Sequence, residues 1–326
     1  MNLCMIGCGA FARQLHGPVQ RHCAQEGADL TLAACCDVDA GRARDYSRDF
    51  GFARCYTDVI AMLDAERPDA TVLAVQPEFT CGVASRVLAR GIPLLLEKPP
   101  GISRQELARL IEAAATGRAK AQVGFNRRYM PVISRARRIL DAEFAGTPIA
   151  RIDYEMLRFD RWDPDFSTTA VHAIDAVCFL AGSPFRAAHL AYQPFVQGGR
   201  EAFGVSVDLD CVSGTRARIE IQPVTGGNSE SAKIHALGQS LAIRVPFPGK
   251  HIDDGAVEHW QGDGLVAAFR PEGRDPSETM GIADETNAFL AAVRSGADPS
   301  PGLQDCLQQV ALMEAIRLRV TEVKAF

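Results

Sequence analysis

The segment "DFSTTAVHAIDAVCFLAG", residues 165–182, is mostly apolar but carries two titratable side chains, His172 and Asp175. An imidazole has an ordinary pKa of about 6.5 and can take and return a proton near neutral pH. On a helix, the three-residue spacing lets the carboxylate touch the ring. Two other interpretations stay open. One is a polar pair that satisfies itself at a helix–sheet interface. The other is part of a zinc site, for which the sequence offers no convincing third ligand.

A glycine-rich loop near the N-terminus offers a second place for chemistry. Its residues are Gly7, Cys8, Gly9, Ala10, Phe11 and Ala12. The pattern G-x-G-x-x-A stands between a strand-like run and a helical segment, the context in which such a loop binds a dinucleotide pyrophosphate. Gly7 permits a tight turn, Gly9 lets the backbone approach the anion, and Ala12 allows close packing. A plain strand–helix turn is the alternative.

Asp37 closes the second strand-like run, 25 residues after Ala12 (37 − 12 = 25). This is close to the spacing expected for the carboxylate that accepts a hydrogen bond from the adenosine ribose. A carboxylate at that point repels a 2′-phosphate, so the sequence predicts NAD rather than NADP. Arg42 and Arg44 follow and could serve a phosphate, which keeps NADP open.

Lys98 follows the fourth strand-like run, in "EKPPG", residues 97–101. In an open parallel sheet, ligands bind at the carboxyl ends of the strands. A lysine held there by two prolines can reach a substrate hydroxyl. An ordinary surface lysine is the alternative.

Short apolar runs separated by helical segments must position these residues in the first part of the chain. The predicted strands are 3–7, 30–37, 70–75, 92–98 and 120–125. The predicted helices run from the glycine loop to about residue 23, and over 40–50, 80–90 and 103–117. The last one has a capping box, Ser103 with Glu106, and a C-cap at Gly117. Such a pattern predicts a parallel sheet covered on both faces.

The second part of the chain has a different pattern. Residues 148–159 and 203–223 alternate apolar with polar side chains, which is typical of a half-solvated antiparallel sheet. A hairpin over 232–245 and helices over 280–294 and 303–323 follow. We therefore predict an α/β protein in two domains: a doubly wound Rossmann domain, 1–122, and an α+β domain with a large, mostly antiparallel sheet, 123–326.

Composition excludes several classes of protein. The 326 residues carry a net charge of −5 and no long basic stripe, which argues against nucleic-acid or anionic-membrane binding. No apolar stretch reaches the ~18–20 residues of a membrane span. The start of the chain lacks the basic region and cleavage site of a signal peptide. None of the 10 cysteines forms a C-x-x-C, so we expect a reduced, cytoplasmic protein without a metal.

Together these motifs resemble the family of glucose–fructose oxidoreductase and inositol dehydrogenase, Gfo/Idh/MocA. Besides the glycine loop and Asp37, the resemblance rests on "VLAVQPE" (72–78), "LLLEKP" (94–99), "GFNRRYMP" (124–131), "HAID" (172–175) and the last two helices. It covers essentially the whole chain, and E-K-P followed by G-F-N-R-R is its most specific part. It implies a nucleotide-binding domain followed by a domain whose sheet commonly forms the oligomer interface, in a homodimer or homotetramer.

The resemblance also implies roles for individual residues. NAD, or NADP, would bind to the glycine loop and to Asp37, Val75, Gln76, Pro77, Glu97, Lys98 and Asn126. Lys98 would contact the reacting oxygen and His172 would be the general acid–base. A sugar-like substrate would contact Asn126, Arg127, Trp162, Thr168 and Asp175. The implied reaction is hydride transfer between nicotinamide and a hydroxyl or carbonyl of a sugar, cyclitol or sugar derivative.

The chain departs from the family pattern beside the histidine. Many members have an aspartate four residues earlier, whereas this chain has Thr168, preceded by Phe166 and Ser167 in place of glycines. Threonine supplies no charge to stabilise an imidazolium. Two alternatives therefore stay open: a nucleotide-binding sensor or regulator with weak or no dehydrogenase activity, and a reductase of a nucleotide-linked sugar or a non-sugar carbonyl.

Overall fold

The computed structural model describes residues 1–27, 29–163, 165–247, 255–271 and 275–324. The chain divides into two compact units. Unit 1 comprises Met1–Phe125 and Ile282–Val310, and unit 2 comprises Asn126–Gly281 and Ala311–Phe326.

Unit 1 is built on a six-stranded parallel sheet. Its strands are β1 (Asn2–Ile6), β2 (Thr31–Cys36), β3 (Arg54–Tyr56), β4 (Ala70–Leu73), β5 (Leu94–Glu97) and β6 (Ala121–Gly124). Between them lie the helices α1 (Gly17–Glu26), α2 (Ala40–Phe50), α3 (Val59–Glu66), α4 (Pro77–Leu88) and α5 (Arg104–Gly117). The strand order β3-β2-β1-β4-β5-β6 reverses between β1 and β4, as in a doubly wound sheet. The predicted Rossmann sheet is confirmed.

The sequence prediction missed two elements of unit 1, β3 and α3, and placed the end of α5 differently. Strand β3 is only three residues long and mostly exposed, so it gives no apolar run, and α3 follows it directly. Helix α5 begins as predicted, with the Glu106 N–H donating to Ser103 Oγ at 3.2 Å. The predicted C-cap at Gly117 is wrong, because the left-handed residue is Arg118, with φ 54°. Gly117 is needed for packing instead, since a Cβ there would lie 1.9 Å from the carbonyl oxygen of Leu88.

The chain returns to unit 1 near its C-terminal end through α9 (Ile282–Ser295). Gln122 Nε2 donates to the carbonyl of Glu285 at 3.1 Å, and the N–H of Val123 donates to the carbonyl of Pro301 at 2.8 Å. These bonds satisfy groups of β6, the last strand of the sheet. The single boundary predicted after residue 122 therefore differs from the units, which divide after Phe125 and assign residues 282–310 to the first unit.

Unit 2 contains a nine-stranded mixed sheet. Its strands are β7 (Ile149–Phe159), β8 (Phe185–Gln197), β9 (Arg200–Cys211), β10 (Arg216–Thr225), β11 (Ser229–Ala236), β12 (Gln239–Arg244), β13 (Ala256–Gln261), β14 (Gly264–Phe269) and β15 (Glu322–Lys324). The order is β14-β13-β12-β11-β7-β10-β9-β8-β15. Among the described strands of this sheet, only β7 and β10 pair in parallel, so the predicted mostly antiparallel sheet is confirmed.

The remaining helices are α6 (Pro131–Glu143), α7 (Ser167–Ala181), α8 (Pro276–Thr279) and α10 (Leu307–Arg317). Helix α7 packs on β7 and β10, and α6 packs on β12 and β13. The alternation of β7 follows from this covering: Tyr154 and Met156 are buried, whereas Arg151 and Glu155 on the other face are exposed. The described residues include no helix that is both long and apolar enough to cross a membrane.

Two predicted helices have different bounds in the structure. The helix predicted over 280–294 begins only at Ile282, because Gly281 has φ 77° and a Cβ there would lie 2.4 Å from the carbonyl oxygen of Asn126. The helix predicted over 303–323 is too long. Helix α10 ends at Arg317, Arg319 turns with φ 53°, and the chain then extends into β15 at the sheet edge.

Candidate active site

The glycine loop of unit 1 is packed on one side and open on the other. Gly7 has φ 91°, and a Cβ there would lie 2.1 Å from the carbonyl oxygen of Ala74, so only glycine fits. Its N–H donates to the carbonyl of Cys36 at 2.8 Å. A Cβ at Gly9 would meet no atom within 4 Å. Space is therefore available at Gly9 for an anionic group to approach the backbone, as the motif predicts.

Asp37 joins the end of β2 to the glycine loop. Its Oδ2 accepts from the N–H of Cys8 at 2.9 Å, and its Oδ1 accepts from the N–H of Asp39 at 2.9 Å. The Nη2 of Arg42 also donates to Oδ1, at 2.9 Å. Only 8 % of the Asp37 side chain is exposed, against 53 % for Arg42. The carboxylate is thus fixed by the backbone, whereas its arginine partner lies at the surface and can be displaced at low cost.

The turn after β4 borders the loop. Val75 Cγ1 would lie 3.0 Å from a Cβ on Gly7, which places this side chain against the first glycine. Gln76 is the exposed N-cap of α4, and Pro77 is its first residue. Of the loop residues themselves, Ala10 and Phe11 are exposed and Ala12 is buried. The glycine loop, Asp37 and residues 75–77 therefore lie at the carboxyl ends of β1, β2 and β4.

A buried contact that the sequence prediction missed lies at the end of β5. His16 Nε2 is 2.9 Å from Glu97 Oε1, and His16 is only 1 % exposed. The strand register sets Glu97 beside Gly124, where a Cβ would come within 3.3 Å of Glu97 Oε1. Lys98 follows and is half-buried. The available signal was the position of His16, four residues after Ala12 in the segment that follows the loop.

In unit 2, Asn126 and Arg127 lie in a 3₁₀ turn, Asn126–Tyr129, and both side chains contact other parts of the unit. Asn126 Nδ2 donates to the carbonyl of Met280 at 2.9 Å. Arg127 donates through Nε and Nη2 to the two oxygens of Glu230, at 2.5 and 2.8 Å. Their predicted contacts with substrate or cofactor stay predictions, because these nitrogens already serve the fold.

Glu230 is the centre of a buried charge cluster. Besides Arg127, it accepts hydrogen bonds from Arg158 and from the Tyr154 hydroxyl. Burial opposes its ionisation, but the charge of Arg127, followed by that of Arg158, outweighs burial and lowers the pKa of Glu230 to about 2. Burial and the negative charge of Glu230 raise the pKa of Tyr154 well above its ordinary value. The spacing of these residues along the chain does not predict the cluster, so the sequence prediction missed it.

Helix α7 presents Thr168 and His172 one turn apart on one face, and both are half-buried. Asp175 is fully buried, and both its oxygens accept from Arg128: Nη2 reaches Oδ1 at 2.6 Å and Nε reaches Oδ2 at 3.0 Å. The predicted role of Asp175 at the substrate stays a prediction. The observed contact ties α7 to the 3₁₀ turn that carries Arg127.

Trp162 lies before α7 and is half-buried. Its Nε1 donates to Asp160 Oδ1 at 2.6 Å, and the guanidinium of Arg200 lies 4.6 Å from the ring centroid. One face of the ring is thus covered by a cation. Among the described residues, no group of three or more His, Cys, Asp or Glu side chains is arranged to hold a metal ion.

The N-terminal part of the chain matches a known family. Residues 1–125 match the family model described as an oxidoreductase family with an NAD-binding Rossmann fold. Inositol 2-dehydrogenase 2 of Saccharopolyspora erythraea is 31% identical over 325 residues, which cover 97% of this chain and 91% of the relative. The similarity to this relative therefore extends through both units.

Solved structures share the fold at low sequence identity. A dehydrogenase from Chromobacterium violaceum superposes with a TM-score of 0.84 at 20% identity, covering 96% of this chain and 93% of that chain. An oxidoreductase from Agrobacterium radiobacter, in complex with NAD+, L-tartaric acid and magnesium, has a TM-score of 0.82 at 18% identity, covering 99% and 98%. At these identities the likeness establishes the fold alone.

Proposed function

The chain belongs to the Gfo/Idh/MocA oxidoreductase family, and on that premise we propose that it is an NAD-dependent dehydrogenase of a sugar or cyclitol. The observation that carries the proposal is the contact between Asp37 and the N–H of Cys8. It fixes a carboxylate against a loop in which Gly7 permits the tight turn and Gly9 leaves room for a pyrophosphate. The substrate class is argued from the inositol 2-dehydrogenase relative.

NAD is preferred over NADP because the Asp37 carboxylate favours the ribose of NAD and disfavours the 2′-phosphate of NADP. Its oxygens can accept from ribose hydroxyls, whereas its negative charge repels a 2′-phosphate. Arg42 lies against the same carboxylate and is more than half exposed. The guanidinium could instead pair with a phosphate, which makes Arg42 the residue through which weaker use of NADP would arise.

The chemistry assigned to the chain's own residues is acid–base catalysis. When bound, the nicotinamide ring accepts a hydride from the substrate carbon or returns it. As the alcohol becomes a carbonyl, its hydroxyl proton passes to the imidazole of His172, which becomes an imidazolium. The Lys98 ammonium stabilises negative charge on the oxygen during that transfer. In the reverse direction His172 returns the proton.

Thr168 occupies the position that faces His172 one turn earlier on α7. It can hydrogen-bond but brings no charge, so the imidazolium formed by His172 lacks stabilisation from this residue. We assign Thr168 and Trp162 to substrate contacts. Asn126, Arg127 and Asp175 would support those contacts through the protein groups that they already hold.

The same threonine favours a second candidate. A chain that binds NAD but has lost efficient hydride transfer would serve as a sensor or regulator. A third candidate is the reduction of a nucleotide-linked sugar or a non-sugar carbonyl. The unusual residues before His172 would then form contacts with that different substrate. These candidates differ in what they turn over, so one screen separates them.

The test is a turnover screen of cyclitols, sugars and nucleotide-linked sugars, with NAD+ and NADP+ supplied separately and NAD(P)H formation followed by absorbance. We expect NADH formation with at least one cyclitol or sugar and slower formation with NADP+. Turnover of nucleotide-linked sugars alone would support the third candidate. Binding of NADH without turnover of any compound, in either direction, would contradict the dehydrogenase proposal.

A further inference from the structure

The contact between His16 and Glu97 has the properties of a positioning pair in the cofactor site of unit 1. His16 lies in the segment that follows the glycine loop, and Glu97 ends β5, which lies between β4 and β6 in the sheet. Their side chains meet at 2.9 Å, from His16 Nε2 to Glu97 Oε1. The contact joins two segments that are 81 residues apart in the chain. It therefore sets the geometry of one against the other.

The local backbone is built to bring His16 to this place. Residues Ala12–His16 form a π-helical turn before α1 begins at Gly17. Such turns are rare and are often found at functional sites. Ala12, the last residue of the glycine motif, is also the first residue of the π-helical turn. A Cβ at Gly17 would lie 2.6 Å from the ring of Phe50, so a larger residue there would push this ring of α2 aside.

The protonation pattern of the pair follows from its partners. An ionised carboxylate only accepts hydrogen bonds, so the proton lies on His16 Nε2. His16 Nδ1 is buried and has no hydrogen-bond partner among the described residues. A second proton, on Nδ1, would bury a donor that has no hydrogen-bond partner among the described residues, which costs free energy. The contact at Nε2 therefore orients the Glu97 carboxylate through one of its oxygens.

We propose that His16 is a positioning residue for the cofactor, which holds the Glu97 carboxylate so that its second oxygen, Oε2, can accept from a cofactor ribose hydroxyl. This inference rests on the proposed NAD-dependent function. Hydrogen-bond energy explains its effect: without His16, Oε1 loses its donor in a nearly closed setting, since the Glu97 side chain is only 12 % exposed. The carboxylate must then turn to find another donor, and Oε2 turns with it.

The test compares NADH affinity, measured by the fluorescence of the bound dinucleotide, in three single variants. His16→Leu removes the donor, and we expect the Kd for NADH to rise about tenfold. His16→Gln keeps an N–H donor at a similar reach, and we expect a rise of no more than about threefold. Glu97→Gln removes the charged acceptor and should weaken binding at least as much as His16→Leu. The double variant should bind no worse than Glu97→Gln alone, because the two residues act as one unit.

The chain provides a matched control in His22→Leu. His22 also faces a glutamate, Glu26, at 3.3 Å, but both side chains are more than 60 % exposed. We expect this variant to bind NADH as the wild type does. Thermal unfolding of each variant is measured alongside, so that a change in affinity is compared with a change in stability.

The outcomes separate the inference from the proposed function. If the wild type does not bind NADH, the proposed function fails. If it binds and His16→Leu binds equally well, only the positioning role fails. Equal loss of affinity in His16→Leu and His16→Gln, in step with equal loss of thermal stability, would also overturn it, because the histidine would then be structural. Should the leucine variant not fold, His16→Gln decides: its binding must stay close to wild type while that of Glu97→Gln is weakened.

Discussion

Asp37 in unit 1 and Glu230 in unit 2 are both carboxylates held by arginine, but they lie in different settings. Asp37 is held by two backbone N–H groups and by Arg42, whose side chain is 53 % exposed. Glu230 is held by Arg127 and Arg158, whose side chains are 6 % and 2 % exposed, and by a buried tyrosine. Exposure of the cation therefore separates a carboxylate that can exchange partners with a ligand from one that cannot.

The contrast teaches that an arginine–carboxylate pair carries no function by itself. A surface arginine contributes little to stability and leaves its partner at low cost. A buried pair costs desolvation, and the loss of one partner leaves the other charge uncompensated. We therefore assign Glu230 to the scaffold that holds Arg127 in place, and Asp37 is the carboxylate that we propose for ligand binding. Substitutions at both positions test this division.

The largest effect is expected for Glu230→Gln. The amide keeps the shape but leaves Arg127 and Arg158 buried without a counter-charge, so we expect a loss of about 3–5 kcal/mol in the free energy of unfolding. Chemical denaturation measures it. Glu155→Gln is the matched control, because Glu155 is exposed on the opposite face of the same sheet, and it should change stability by no more than about 0.5 kcal/mol. Similar values for the two variants would refute the scaffold role of Glu230.

A pH dependence should follow from the same residue. The pKa of Glu230 is lowered to about 2 in the folded chain, below its ordinary value of 4.5. A lowered pKa means that its contribution to stability is complete above the unfolded value and is lost as pH falls towards the folded value. The difference in unfolding free energy between the wild type and Glu230→Gln should therefore shrink between about pH 5 and about pH 2. A constant difference over that interval would contradict the lowered pKa.

A smaller effect, of a different kind, is expected for Asp37→Asn. Its partners lie at the surface or in the backbone, so stability should change by less than about 1 kcal/mol. The Kd for NADH should rise about tenfold, because a charged acceptor for the ribose is lost. Asp39→Asn is the control, since Asp39 is the N-cap of α2 and asparagine caps equally well. Unchanged affinity in Asp37→Asn, or equal loss in the control, would remove Asp37 from the cofactor site.

The sequence predicted those parts of the fold, and those positions of candidate residues at strand ends, that depend on local patterns. The glycine loop, the carboxylate after β2 and the lysine after β5 each follow a strand, and strand ends could be placed from apolar runs. The family resemblance identified His172 as a candidate residue, because "HAID" matches the family pattern in the segment that forms α7. Local patterns also gave the alternation that separates the second sheet from the first.

The parts that the sequence did not predict depend on contacts between distant segments. His16 meets Glu97 across 81 residues, and Arg127 meets Glu230 across 103. The spacing along the chain also did not reveal that both oxygens of Asp175 accept from Arg128, 47 residues earlier. The return of the chain to unit 1 brings the carbonyls of Glu285 and Pro301 to the Gln122 side chain and the Val123 N–H of β6, and no periodicity reveals these contacts.

The most direct test of the proposed chemistry is the turnover of His172→Ala with NAD+ and the best substrate from the screen, with NADH affinity measured in parallel. The proposal predicts that kcat falls by about a hundredfold to ten-thousandfold while the Kd for NADH stays near that of the wild type. His235→Ala, at an exposed histidine on β11, should leave both values unchanged. Wild-type kcat in His172→Ala would contradict the assignment of His172 as the general acid–base.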